Sequence, residues 1–223
     1  MQVDEWQKGI DFEVWWWREW IKNAGGAHRA DYTNRFISDY PFQDYLIPLL
    51  PPQKDISVLD VGAGPTTNLG KHLPDRNLTI TPIDPLADRY ATILNEFGVV
   101  PLIRTEFGEV ETLVTKFGEN VFDLVYMCNA LDHSRDPMTG VTQMLAVVKP
   151  GCYVTLHHFI REAENASYGG FHQFNLDTDN AGKFILWNRS ERFEVEEILK
   201  DVGDFSVEVQ QATRWIVVTI RKK

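Results

Sequence analysis

The sequence predicts an α/β fold built on a mostly parallel sheet, and three observations carry that reading. Short apolar runs bounded by turn residues alternate with helical stretches from about residue 55 to residue 160. The first run, residues 56–61, leads straight into Gly62-Ala63-Gly64-Pro65. Polar residues then gather where the runs end: Asp60, Asp84, Glu109, Asn129, His133, His157 and His158. Parallel sheets joined by right-handed crossovers bind ligands beyond the carboxyl ends of their strands, so these residues converge on one edge.

Composition narrows the class. The 223 residues fit one main domain, 53–223, preceded by a small helical cap over 1–52. With 43% hydrophobic residues the chain can bury a substantial core. A formal net charge of −10 argues against nonspecific nucleic-acid binding, which needs a cationic field. No run approaches the roughly 18 apolar residues of a membrane span. The start, with Asp4 and Glu5, lacks the basic opening of a signal peptide, so a cytoplasmic protein is expected. Cys128 and Cys152 fall in apolar runs and read as small core residues rather than a disulfide. There is no internal repeat and no low-complexity segment.

In the cap, residues 11–23 read as a helix, with Phe12, Trp16 and Trp20 in one stripe at spacing four. Trp15 and Trp17 cannot share that line, because neighbours on a helix point about 100° apart. The surplus aromatic surface therefore packs on the domain, walls an acceptor pocket or contacts a second copy as a homodimer. Gly25-Gly26 ends this helix, and residues 31–39 suggest another. There Arg35 is either a surface residue or one that reaches a ligand carboxylate.

The loop after the first strand is close to the dinucleotide pattern G-x-G-x-x-G, but the third glycine is replaced by Thr67. That glycine lets helix and strand close on a pyrophosphate, so its absence counts against NAD. Asp60 would repel a pyrophosphate and suits a cationic amine. S-adenosylmethionine (SAM) carries an ammonium and a sulfonium and no phosphate. A helix is expected from Thr66 to about His72, its N-terminus completing the ligand site. Residues 78–83 form the second strand, ending in Asp84-Pro85. Asp84 is placed either to accept both hydroxyls of a ribose or to cap the helix over residues 86–97. Residues 99–104 read as a third strand. Glu109 and the Val110 backbone then either meet an adenine edge or simply begin the helix over 111–117. The fourth strand, 122–127, precedes a helix from Asp136-Pro137 to Val148. A Lys149-Pro150-Gly151 turn leads into the fifth strand, 152–158.

These segments resemble class I SAM-dependent methyltransferases. VLDVGAGP resembles the family's first motif and ITPIDP its ribose-binding acid. FDLVYMCNALDHSRDP resembles the fourth motif, and MLAVVKPGCYVTL the KPGG turn and following strand, with Cys152 in place of a second glycine. The resemblance covers residues 55–160 and a final strand pair, 205–210 and 214–220. It implies a Rossmann-like seven-stranded sheet, mostly parallel with the last strand antiparallel, and SAM as cofactor. It further implies that Asp60, Gly62, Ala63 and Gly64 hold the methionine end and Asp84 the ribose. Pro85 and Leu86 would lie by the adenine, Glu109 and Val110 at its edge, and Asn129 near the amino-acid moiety. DPLADRY and GGFHQFN resemble a bacterial subgroup tied to surface-polysaccharide and secondary-metabolite genes.

Residues 159–189 form a long connection without clear periodicity, the kind that is usually functional. Tyr168 to Asn175 supply glycines, aromatics and amides suited to a small-molecule or sugar acceptor; a flap or dimer arm is the competing reading. A helix near residues 190–201 follows. Methyl transfer to an alcohol calls for a base or a metal, and histidine titrates in the right range. The base candidates are His172 and His158, then His133, for which shaping the pocket is the competing reading. Strand alternation sends His157 and His158 to opposite faces, so only one of them serves the site. Asp132 and Asp136 show no metal-ligand spacing with these histidines, so no metal is expected. The predicted function is SAM-dependent transfer of a methyl group to a small-molecule or saccharide-like acceptor, at oxygen. The alternatives are a noncatalytic SAM-binding partner subunit and an NAD-dependent oxidoreductase.

Overall fold

The structure is a computed structural model that describes the backbone of residues 3–223 and the side chains from residue 7 onward. The side chains of Asp4 and Glu5 lie outside the described residues. Strands β1 (Asp55–Val61), β2 (Asn77–Asp84), β3 (Glu106–Phe107), β4 (Phe122–Cys128) and β5 (Val148–Phe159) come first. Then follow β6 (Asn175–Thr178), β7 (Phe184–Trp187), β8 (Arg192–Glu194), β9 (Gly203–Gln210) and β10 (Trp215–Lys222). Seven of them form one sheet in the order β3-β2-β1-β4-β5-β10-β9. β1 runs parallel to β2 and β4, β4 parallel to β5, and β10 antiparallel to both β5 and β9. This is the Rossmann-like class I sheet that the sequence predicts.

Period-two alternation divides the central strands between two cores. Leu59 and Val61 of β1 join Val125, Met127, Val154 and Leu156 on one face. Ile56 and Val58 join Phe42, Leu46, Leu124 and Tyr126 on the other. The same alternation carries Asp60 to the second face, beside Tyr126, its partner in register. The helices are α1 (Val3–Lys22), α2 (Arg29–Arg35), α3 (Ala87–Glu96), α4 (Leu113–Phe117), α5 (Pro137–Val147), α6 (Glu162–Asn165) and α7 (Val195–Leu199). A third cluster packs Trp20 and Ile21 of α1 against Tyr90, Ile93 and Leu94 of α3. Among the described residues no helix is long and apolar enough to cross a membrane.

Several expectations are corrected. Residues 66–72 form no helix. Gly70 lies so close to the Pro41 carbonyl that a Cβ would sit 1.9 Å from its oxygen. His72 bridges to Pro41 in parallel, and Thr67 Oγ1 accepts the Leu69 amide at 3.0 Å. The β-branched Thr66-Thr67 pair and these outside partners hold the segment extended against the cap. Residues 99–104 are not a strand either. Pro101 offers no amide, Val100 is largely exposed, and only Glu106–Phe107 pairs with β2. The cap's second helix ends at Arg35 rather than 39. The connection after β5 is not irregular. It contains α6, β6 and β7, which β8 just beyond it joins in an antiparallel sheet, and its Leu176, Phe184 and Leu186 enter the main core. The final helix shrinks to α7, because β8 takes residues 192–194.

Candidate cofactor and acceptor site

A cavity of about 1000 Å³ opens over the carboxyl ends of β1, β2 and β4. Its wall includes Asp60, Gly62, Ala63, Gly64, Asp84, Pro85, Leu86, Glu109, Val110 and Asn129. Every position read from the sequence as cofactor-binding thus lies on one surface. Gly62 and Gly64 adopt φ values of +70° and +66°, which side chains disfavour. A Cβ on Gly62 would meet the Ala130 Cβ at 2.4 Å, and one on Gly64 would meet the Trp17 ring at 2.7 Å. The glycines therefore serve a tight turn squeezed between β4 and α1.

Two buried carboxylates face this turn. Asp84 Oδ2 accepts the Gly64 amide at 3.0 Å, and Oδ1 accepts the Leu86 amide at 2.8 Å. Burial pushes Asp84 up to about 7, although both amide bonds pull the other way. Asp60 Oδ2 has no hydrogen-bond partner among the described residues. Burial lifts Asp60 to about 6, against the Thr67 hydrogen bond and the charges of Arg35 and Lys71. A buried carboxylate oxygen with nothing to accept fits an ammonium, and ribose hydroxyls fit the lone pairs left on Asp84. The residues present therefore suit SAM.

Sequence reasoning left Arg35 open and missed its true setting. Its side chain is only 11% exposed and lines the cavity. It donates to the Thr66 carbonyl at 2.8 Å, pairs with Asp31, and lies over the Trp17 and Trp20 rings. The surplus aromatics of α1 split as the cap geometry dictates. Trp20 is buried, Phe12, Trp16 and Trp17 reach the cavity, and Trp15 is exposed. Cys152 lies in the core, whereas Cys128 is half-buried, packing on the second core and also lining the cavity.

The histidines rearrange the expected roles. His158 is buried and does not line the cavity; it is His157, on the opposite face of β5, that does. His158 Nε2 bonds Asp132 Oδ1 at 3.0 Å, while Nδ1 bonds the Phe159 carbonyl at 3.0 Å. Both nitrogens are occupied, so His158 is corrected from base candidate to buried partner. His133 and His172 do line the cavity. His172 Nδ1 bonds Asp132 Oδ2 at 2.6 Å, and His133 Nε2 lies 3.2 Å from that same His172 nitrogen. Asp132, fully buried, thus stands among three imidazoles. Burial alone would raise its carboxyl, but the surrounding histidines hold it well below the usual range. Burial disfavours charge on His172, yet Asp132 outweighs it and the net shift is upward. Donor atoms of Asp132, His133 and His172 all lie within 4.8 Å of one another, a grouping that the sequence spacing did not indicate. Asp132 directly precedes His133 in the chain, but nothing in the sequence announces His172, 40 residues away, as its partner.

Aromatic rings close the far side. Tyr45 bonds the Tyr126 hydroxyl at 3.1 Å and His157 Nδ1 at 3.2 Å. Trp215 stacks on Phe159 and leans on His157. Phe171, from the connection after β5, packs so tightly on α1 that a Cβ on Gly9 would meet its ring at 2.8 Å. The cap and this connection therefore meet over the cavity.

Residues 59–156 match the methyltransferase domain family. No curated protein matches the chain at a significant level. Among solved structures, a chain from the complex between the Haloferax volcanii Trm112 methyltransferase activator and a methyltransferase aligns with a TM-score of 0.57 at 13% identity. That alignment covers 92% of this chain and 96% of the other. The citrinin polyketide synthase CMeT domain aligns at TM-score 0.53 and 14% identity, covering 79% of this chain and 49% of that one. The CurJ carbon methyltransferase aligns at 0.52 and 13%, covering 79% and 50%. This chain therefore spans about half the length of those last two. Such identities speak to fold alone. Together with the family match over residues 59–156 and the strand order, they support a class I SAM-dependent methyltransferase domain. That class implies SAM as the cofactor.

Proposed function

We propose that the chain transfers a methyl group from SAM to a hydroxyl of a small, saccharide-like acceptor. The observation that carries this reading is the continuity of one cavity from the Asp60–Asp84 end to His133 and His172. At the first end, Asp60 takes the cofactor's ammonium and Arg35 its carboxylate. Asp84 takes the ribose hydroxyls, Pro85 and Leu86 flank the adenine, and Glu109 and Val110 meet its edge. Asn129, at φ +48° with its side chain bonded to the Phe159 amide, borders the amino-acid moiety.

The cofactor supplies an activated methyl on sulfur. This chain's residues align the acceptor, exclude water and deal with its proton. Trp215, Phe159, Tyr45 and His157 offer ring faces and edge polar atoms, a combination that suits a polyol ring. The acceptor hydroxyl is activated at the Asp132–His133–His172 cluster. A noncatalytic SAM-binding role would leave that cluster, buried at one end and open to the cavity at the other, without work.

Calorimetric titration with S-adenosylhomocysteine, with NAD in parallel, tests the cofactor half. Micromolar or tighter binding of the first alone is expected; no binding would defeat the proposal. Screening hydroxyl acceptors for methylated product tests the other half. His172→Ala should keep cofactor affinity and lose turnover.

A further inference from the structure

We infer that Asp132, His133 and His172 form a binding site for a first-row divalent metal ion. This rests on the proposed activation of the acceptor at that cluster, and it changes the part His172 plays there from proton acceptor to ligand.

The three donor atoms stand at a spacing that one metal ion can bridge. Asp132 Oδ2, His172 Nδ1 and His133 Nε2 are separated by 2.6, 3.2 and 3.7 Å. A triangle with those edges has a circumscribed circle of about 1.9 Å radius. Zinc bonds nitrogen and carboxylate oxygen at about 2.0–2.2 Å. One point just off the plane of the three atoms therefore meets all of them at bonding length.

Protons alone satisfy these contacts poorly. From His172 Nδ1, the directions to Asp132 Oδ2 and His133 Nε2 diverge by about 79°, as the three edges require. A single N–H cannot point straight at both, and hydrogen bonds weaken steeply when bent. If His172 donates to Asp132, the His133 nitrogen faces it without a proton in line. If His133 donates to His172, two lone pairs meet across 2.6 Å. One cation at the centre satisfies all three atoms together.

The surroundings are those of a working site. Asp132 Oδ1 is bonded by buried His158, so the carboxylate is oriented from behind as metal-ligating carboxylates are. Glu13 and Glu162 line the same cavity, and their carboxylates add a field that favours a cation. All three ligands come from this chain, and His133 and His172 face the cavity, which leaves open positions toward an acceptor. Two histidines and one carboxylate with open positions suit first-row divalent ions. An acceptor hydroxyl bound there would pass its proton to a carboxylate of the same cavity wall, Glu13 or Glu162. Its oxygen lone pair would then form the new bond to the methyl carbon as the carbon–sulfur pair returns to sulfur, leaving a neutral thioether.

The test uses the full chain, stripped with a chelator, dialysed and titrated with Zn²⁺ by calorimetry and with Co²⁺ by visible absorption. One equivalent per chain at micromolar affinity or better is expected. His133→Ala and His172→Ala should each weaken it tenfold or more, and His28→Ala should not. S-adenosylhomocysteine titration of each variant verifies the fold; where an alanine variant fails that check, the bulkier glutamine variant at the same position is read instead. No stoichiometric uptake, or uptake indifferent to His133 and His172, would overturn the site. Turnover that survives chelation but is lost in His172→Ala would overturn the metal and leave methyl transfer standing. Stoichiometric metal without transfer to any hydroxyl acceptor would do the reverse.

Discussion

Gly64 donates its amide to Asp84 Oδ2 at 3.0 Å, tying the turn after β1 to the end of β2. The acid proposed to hold the ribose also fixes the loop proposed to hold the methionine end. Burial has pushed that acid up to about 7, so near neutral pH it is only partly ionised in the free protein. A carboxylate accepts hydroxyls best when charged. Affinity for S-adenosylhomocysteine should therefore fall as pH drops from 8 to 6, by up to about tenfold per pH unit below 7. Calorimetry across that range checks it, with Asp84→Asn expected to bind weakly and to lose the dependence above pH 6. A flat profile in the wild type would remove Asp84 from the ribose.

Asp60 yields a stability prediction of opposite sense. Its folded carboxyl is raised from the ordinary 3.8 to about 6, so the fold holds its proton more tightly than the unfolded chain does. Stability of the free protein from this group is thus greatest below about pH 4, declines as pH rises to about 6, and then levels. The cost at pH 8 corresponds to roughly 3 kcal/mol. Asp60→Asn should raise the urea midpoint at pH 8, give little gain at pH 4, and weaken cofactor binding at both. An unchanged midpoint at pH 8 would mean that Arg35 and Lys71 already neutralise the site.

Two glycines with the same backbone sign separate strain from function. Gly98 sits at φ +65° with open space where a Cβ would go. Gly98→Ala should cost about 1 kcal/mol of stability and leave cofactor affinity alone. Gly62→Ala adds a 2.4 Å collision with Ala130 to similar strain, inside the cofactor loop. It should lower affinity at least tenfold. Equal effects on affinity would show that the loop does not hold the ligand.

How far the sequence revealed all this depends on the range of each signal. Residues 56–61 and 122–127 read correctly because both are short apolar runs buried on two faces. Asp84 and Gly64 were legible because strand ends and glycine turns are local. The segment 66–72 misled because its fate is decided by Pro41, 29 residues upstream of Gly70, whose carbonyl leaves no room for a helical turn there. The small sheet of β6, β7 and β8 was hidden because its strands are short and owe their stability to the main core. His158 was placed on the wrong side because alternation fixes that one of two adjacent histidines faces the cavity, not which. The meeting of Asp132 with His172 is a tertiary contact across 40 residues, beyond any periodicity.

Asp132 gives the last prediction, because it joins stability to the proposed chemistry. Its carboxylate is fully buried and bonded on one side by His158 and on the other by His172. Asp132→Asn keeps the size but removes the charge, and its amide nitrogen must face one of those rings. Breaking one side of a buried charged pair typically costs about 3–5 kcal/mol, because the remaining partner stays desolvated and uncompensated. For a domain of this size that corresponds to a fall in thermal midpoint of roughly 6–20 °C. Asp132→Leu, which restores neither bond, should fall at least as far. The loss should persist at moderate salt, since Asp132 and His158 are almost wholly buried and so little screened. Surviving Asp132→Asn protein should still bind S-adenosylhomocysteine, whose contacts lie at the other end of the cavity, and should show no methyl transfer. A variant as stable as the wild type would mean that Asp132 is neutral in the native fold, and full turnover would place acceptor activation elsewhere.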